Sequence, residues 1–194
     1  MLRTLSAFAL PCRSWVVADE RSTRAIISAM TDDAVHPNVA RVVRAAADAG
    51  LMIEVRRFPE GTRTAEDAAR AIGCHVAQIV KSLVFVADGQ PVVALVSGVD
   101  RVDPERLGAA LGAAEVRRAD GDEVRRATGY PIGGVPPFGH AEPLQVLIDE
   151  HLFAHDEVWA AAGLPDAVFD STPAALAEAS GARRAGLAAD VVQG

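Results

Sequence analysis

Lys81 is the single lysine of the chain; the other 18 of its 19 basic residues are arginine. A lysine offers a compact ammonium whose three donors can converge on one oxygen, and burial can lower its pKa, which a guanidinium does not allow. It stands inside Ile79-Val80-Lys81-Ser82-Leu83-Val84-Phe85-Val86, a run apolar on both faces that predicts a strand buried in mid-sheet. An unpaired charge there costs on the order of several kcal/mol or loses its proton. Lys81 therefore needs either a core carboxylate or a cleft that a ligand enters.

The second stretch with chemical capacity is Gly129-Tyr130-Pro131-Ile132-Gly133-Gly134-Val135-Pro136-Pro137-Phe138-Gly139-His140. Its glycines and prolines sit too close together for a helix or a ladder, so it must be a loop of fixed shape. Val135 and Phe138 give it an apolar side, and His140 can donate, accept or titrate near neutrality. Backbone N–H groups such as those of Gly133 and Gly134, held rigidly beside a cation, are an arrangement that stabilises developing negative charge. No serine occupies a nucleophile elbow, and the adjacent Cys74-His75 is not a dyad by adjacency alone, so water is the simpler attacking group. A rival reading takes His151 and His155, spaced i, i+4 with His140, Asp149 and Glu150 nearby, as a metal face. It lacks the glutamate that follows the first histidine of a metalloprotease.

The elements that must hold these groups read as an alternation of helices and strands. Pro37 to Gly50 carries Val39, Val42, Val43 and Ala46 at helical spacing; Leu51 to Phe58 alternates like a half-exposed strand. Thr64 caps a helix that Gly73 ends. Asp88-Gly89-Gln90-Pro91 turns the Lys81 strand back as Val92 to Val96. Asp103-Pro104-Glu105 starts a helix running to Gly112, Glu115 to Ala119 reads as a short strand, and a helix over Asp122 to Thr128 delivers the chain into the loop. Pro143 to Asp149, Val158 to Gly163 and Ala167 to Asp170 follow as strands. Thr172-Pro173 opens a helix to Gly181, and Leu187 to Val192 is expected as a last edge strand.

Composition bounds the rest. With 194 residues, half of them hydrophobic, the chain can bury one core. No apolar run approaches the roughly 20 residues of a membrane-spanning helix. A formal charge of −7 argues against a duplex-coating nucleic-acid binder, although Arg56-Arg57, Arg117-Arg118, Arg125-Arg126 and Arg183-Arg184 could form a basic rim. Cys12 and Cys74 are far apart and outside any CxxC, which suits a reducing cytoplasm. Residues 1–29 are expected to be a disordered extension, with the folded domain over 30–194.

The chain resembles the YbaK/EbsC family, proteins related to the editing domain of bacterial prolyl-tRNA synthetase. The resemblance rests on Ile79-Val80-Lys81-Ser82-Leu83-Val84-Phe85, Ser97-Gly98-Val99-Asp100-Arg101-Val102-Asp103, the loop from Gly129 to His140, Ala162-Gly163, and Val168-Phe169-Asp170-Ser171-Thr172-Pro173. It implies a single α/β (α+β) domain with a curved mixed sheet flanked by helices. The implied activity is that of a trans-acting aminoacyl-tRNA deacylase on a tRNA-Pro or similar tRNA carrying a small wrong amino acid. Lys81 is the implied catalytic group. Ser82, Ser97, Gly98, Ile132, Gly133, Gly134, Val135, Pro136, Phe138, Gly139, His140 and Gly163 are the implied substrate contacts, with no metal or other cofactor. The tRNA's terminal hydroxyl would assist the chemistry. The implied partners are the acceptor end of an aminoacyl-tRNA and a synthetase, not DNA or a membrane. The alternative from another class is a non-catalytic module that binds a small ligand or the aminoacyl end.

Overall fold

Local chemistry sets each helix of the computed structural model, which describes residues 36–58 and 64–189. Helix α1 (Pro37–Asp48) starts with proline in its first turn and the His36 ring accepting from the Asn38 N–H, and buries Val39, Val42 and Ala46. Helix α2 (Ala65–Ile72) is capped by Thr64, whose side chain accepts from the Asp67 N–H, and carries Glu66 and Asp67 in its first turn. Helix α3 (Pro104–Leu111) begins on Asp103, and α4 (Gly121–Thr128) on a reciprocal Asp120–Glu123 capping box. Helix α5 (Pro173–Ser180) begins on Thr172. In each case a side-chain oxygen or ring nitrogen satisfies backbone donors that the first turn leaves without partners.

Eight strands form one mixed sheet: β1 (Arg56–Arg57), β2 (Ile79–Ala87), β3 (Gln90–Ser97), β4 (Val116–Arg118), β5 (Gln145–Asp149), β6 (Val158–Ala161), β7 (Ala167–Ser171) and β8 (Arg183–Ala185). Their order is β1-β7-β6-β2-β3-β5-β8, with β4 also paired to β2. The β2–β3 hairpin closes on Asp88 (φ 46°) and Gly89 (φ 81°), the two positive angles of a type I′ turn. Side chains alternate across β2. Val80 and Val84 join the main core, with α1, Val135, Phe138 and Phe169, whereas Phe85 packs with Leu107 of α3 on the other face. Ile79 joins a third cluster with Ala68 and Ala69 of α2, Trp159 and Val168.

One edge of β2 is shared by two strands. The parallel partner β6 reaches only to Val80↔Ala160, and the antiparallel partner β4 begins at Phe85↔Arg118, extended by Ala119 N–H donating to Val84 O at 3.1 Å. Lys81 to Leu83 lie opposite a break in the sheet.

Two expected strands differ. Of Leu51 to Phe58 only Arg56–Arg57 pairs, with Val168 and Ala167; alternation alone does not make a strand where no neighbour offers a ladder. The closing strand is Arg183–Ala185 on β5, while Ala188 makes a single antiparallel bridge to Val102, and residues 190–194 lie outside the described residues. The expectation for residues 1–29 also lies outside them. Among the described residues no helix is long and apolar enough to cross a membrane.

Candidate active site

The break opens into a cavity of about 320 Å³. Its walls come from Thr64, Ala65 and Ala68 at the start of α2, from β2, and from Arg118 and Ala119. Val124 of α4, the turn around Gly133, Trp159 and Pro165 complete them. Lys81 and Ser82 project to opposite faces of β2; the break lets both line one space. Among the described lining residues none is an aspartate, a glutamate or a histidine.

Among the described residues Lys81 has no carboxylate partner, and its three donors are not all free. Its Nζ donates to Gly98 O at 2.9 Å and to Asp100 O at 2.5 Å, which leaves one N–H for a ligand. Burial is the main influence on this ammonium and lowers its pKa; Asp100 and Glu66 oppose that, and Arg101 and Arg118 add to it. Next to it, Ser82 Oγ is buried without a hydrogen-bond partner, a state that costs about 1–3 kcal/mol.

The glycine-proline loop divides between two places. Ile132, Gly133 and Val135 line the cavity. Gly133 has φ +82°, and Gly134 N–H donates back to Pro131 O at 3.0 Å, as a type II turn requires. That N–H is thus spent inside the loop and is not an outward donor. Gly134 itself packs against Leu164. Phe138, Gly139 and His140 border a separate, more open cleft of about 420 Å³ with Pro143 and Ser180. There His140 Nε2 lies 2.9 Å from Pro136 O, and burial lowers the ring's pKa. Ser97 and Gly163 also stand apart from the cavity: Ser97 Oγ donates to Ala77 O at 2.9 Å, and Gly163 O accepts from Asn38 Nδ2 at 3.2 Å. Gly98 touches the site only through the carbonyl that holds Lys81.

The loop keeps its shape through a clamp from α1. The Arg41 guanidinium stacks 3.8 Å from the Tyr130 ring centroid, its Nε donates to Tyr130 Oη at 2.8 Å, and its Nη2 donates to Gly129 O at 3.0 Å. Tyr130 Oη in turn donates to Gly139 O at 2.9 Å. Tyr130→Phe removes both hydroxyl bonds, an expected loss of about 1–3 kcal/mol. In a chain of this size that lowers Tm by about 2–12 °C, to be read by calorimetry.

His151 and His155 do not converge. The His151 Nδ1 lies 2.9 Å from Asp100 Oδ2, and Asp149 is occupied: Oδ1 accepts from His151 N–H at 2.9 Å, and Oδ2 from Leu187 and Ala188 N–H at 2.6 and 2.9 Å. The hydrogen bond to Asp100 is the main cause of a raised His151 pKa; Asp149 and Glu150 add to it. The raised value means His151 contributes stability that is full below about pH 6.5 and is lost as pH rises through its folded pKa. His140, with its pKa lowered, contributes in the opposite sense, losing stability as pH falls. Tm measured across this range should lose the high-pH decline in His151→Ala and keep the low-pH one.

Members of three of the four arginine pairs are held by neighbouring groups. Arg57 pairs with Asp166 at 2.5 Å, and Arg117 with Glu123 at 2.6 Å, holding the Glu123 carboxyl down to about 2. Arg56 stacks on Trp159 at 4.8 Å, Arg184 on Phe153 at 4.2 Å, and Arg183 donates to Ala110 O. Arg118 is the member that lines the cavity. Thr64, Trp159 and Pro165 are lining residues that the sequence reading passed over. Thr64 was legible only as a cap, and the other two carry no pattern that announces a pocket.

A model of the aminoacyl-tRNA editing domain matches residues 59–179. The uncharacterized protein YwhH of Bacillus subtilis is 34% identical over 128 residues, covering 66% of this chain and 81% of that one. The proline–tRNA ligase of Citrifermentans bemidjiense is 42% identical over 89 residues, 46% of this chain but only 16% of the ligase. Among solved structures, a candidate trans-editing enzyme for prolyl tRNA synthetase superposes with a TM-score of 0.76 and 43% identity, over 80% of this chain and 99% of that one.

Proposed function

The chain belongs to the aminoacyl-tRNA editing domain family, and from that premise we propose that it is a free-standing deacylase that hydrolyses the ester between a wrong amino acid and its tRNA. The observation that carries this reading is the break in the sheet, where an ammonium and an apolar wall share one small cavity. Water adds to the ester carbonyl carbon and its oxygen takes up negative charge. The bond to the terminal ribose oxygen then breaks, that oxygen takes a proton, and free amino acid and tRNA leave. A fixed cation beside the developing oxyanion lowers the barrier to the first step. Lys81 fills that role with the one N–H its carbonyl partners leave, and the chemistry asked of it requires no metal. Since no carboxylate or imidazole is among the described lining residues, the proton transfers fall to water or to the neighbouring ribose hydroxyl.

The substrate in this reading is a small wrong amino acid on tRNA-Pro or a similar tRNA. Two observations support it: the likeness to proline–tRNA ligases, and a cavity walled by Ala65, Ala68, Val124 and Val135. Contact with the acceptor end alone, with help from a synthetase in the cytoplasm, fits a chain of charge −7. That no carboxylate or imidazole is among the described lining residues favours one rival, a module that holds the aminoacyl end without turnover. A deacylation screen over mischarged tRNAs separates the two. Release of one or a few small amino acids well above the uncatalysed rate supports the hydrolase; tight binding with no release on any member supports the rival.

A further inference from the structure

Resting on the hydrolase reading, we infer that the aminoacyl group docks by completing the broken sheet, exchanging two hydrogen bonds with the main chain of Ser82. Along β2 the backbone groups of alternate residues face opposite edges. Val84 O receives Ala119 N–H, and Asp88 N–H donates to Glu115 O, so the even-numbered residues face the β4 and β6 side. Val80 is matched to Ala160 and Val84 to Ala119, but Ser82 between them has no strand partner on that edge among the described residues. Its N–H and C=O therefore open together into the cavity that Ser82 lines.

An N–H and a C=O presented side by side by one extended residue have a natural complement, another extended amino acid. The ester carbonyl of an aminoacyl-tRNA accepts from Ser82 N–H, and its α-ammonium donates to Ser82 O. This is a one-residue antiparallel pairing. It places the Ser82 N–H on the oxygen that becomes negative during hydrolysis, and it makes the free α-amino group a requirement for tight docking. In such a pair, side chains of two L residues lie on the same face. That of the substrate then shares the Ser82 side, towards Val124 and Val135, where the unpartnered Ser82 Oγ also lies. The ligand class is thus an L-α-aminoacyl ester, distinguished from other acyl esters by its amine.

The test uses the intact protein with two tRNA esters, alanyl and propionyl, which differ in the α-amino group. Each rate is divided by that ester's own uncatalysed hydrolysis. The expected enhancement for the alanyl ester exceeds that for the propionyl ester by at least about tenfold, as loss of one hydrogen bond to a charged donor implies; equal enhancements overturn the inference. A second readout is the ¹⁵N–¹H signal of Ser82 on titration with 3′-alanylamino-3′-deoxyadenosine, which cannot be hydrolysed at an ester. A shift of the Ser82 amide is expected, and shifts of other cavity amides with Ser82 unmoved overturn the inference. If no aminoacyl-tRNA is turned over while the Ser82 amide still shifts, the hydrolase reading fails and the docking mode stands.

Discussion

Replacing Lys81 with alanine lowers the single-turnover rate of deacylation by about 10²–10³-fold, the range for loss of one preorganised donor at a developing oxyanion. The effect falls on the chemical step rather than on binding, because the ammonium matters most when the carbonyl oxygen has become negative. Lys81→Arg should not restore the rate. A planar guanidinium cannot set one nitrogen on both Gly98 O and Asp100 O and still direct a donor into the cavity. The same substitution to alanine leaves two carbonyls without their donor, so Tm must be measured beside the rate. An unchanged rate in a folded Lys81→Ala protein would remove the lysine from the mechanism.

The second large effect is on folding. A Cβ added at Gly98 would stand 2.3 Å from Val76 O, 3.1 Å from Val76 Cγ1 and 3.2 Å from Ala65 Cβ. Val76 belongs to a 3-10 turn fixed by a His75–Gln78 capping box, and Ser97 Oγ ties the end of β3 to that same turn. Nothing flexible is there to yield. Gly98→Ala is expected to cost about 1–3 kcal/mol or more by overpacking, lowering Tm by about 2–12 °C. Because Gly98 also supplies one of the two carbonyls that hold Lys81, a shift of its backbone should lower the deacylation rate as well. Wild-type Tm and rate in this variant would show that β3 and the turn can separate freely.

Much of this architecture was legible in the residues. Thr64, Asp103 and Thr172 each mark a helix start by a local hydrogen bond, and Asp88-Gly89 marks the hairpin, since such signals depend on neighbours a few positions away. The run around Lys81 announced a central strand for the same reason. Long-range pairing was less legible. Leu51 to Val55 alternates as a strand does yet finds no strand partner among the described residues, and the break opposite Ser82 exists only because β6 stops early and β4 starts late on one edge. No periodicity encodes that. The glycine-proline loop was recognised as rigid, but its division between two clefts follows from Arg41 and Tyr130 pinning it from α1, a contact between residues 89 positions apart.

In the docking mode proposed above, the spacing between β6 and β4 on the edge of β2 would also limit what can be cleaved. An acyl chain that continued beyond its α-nitrogen along the strand direction would run into the backbone of Ala119, already bonded to Val84. A lone residue fits where a second one does not. A nascent polypeptide joined to tRNA through the same kind of ester would therefore be spared, so such an enzyme could patrol freshly charged tRNA without severing chains under synthesis on the ribosome.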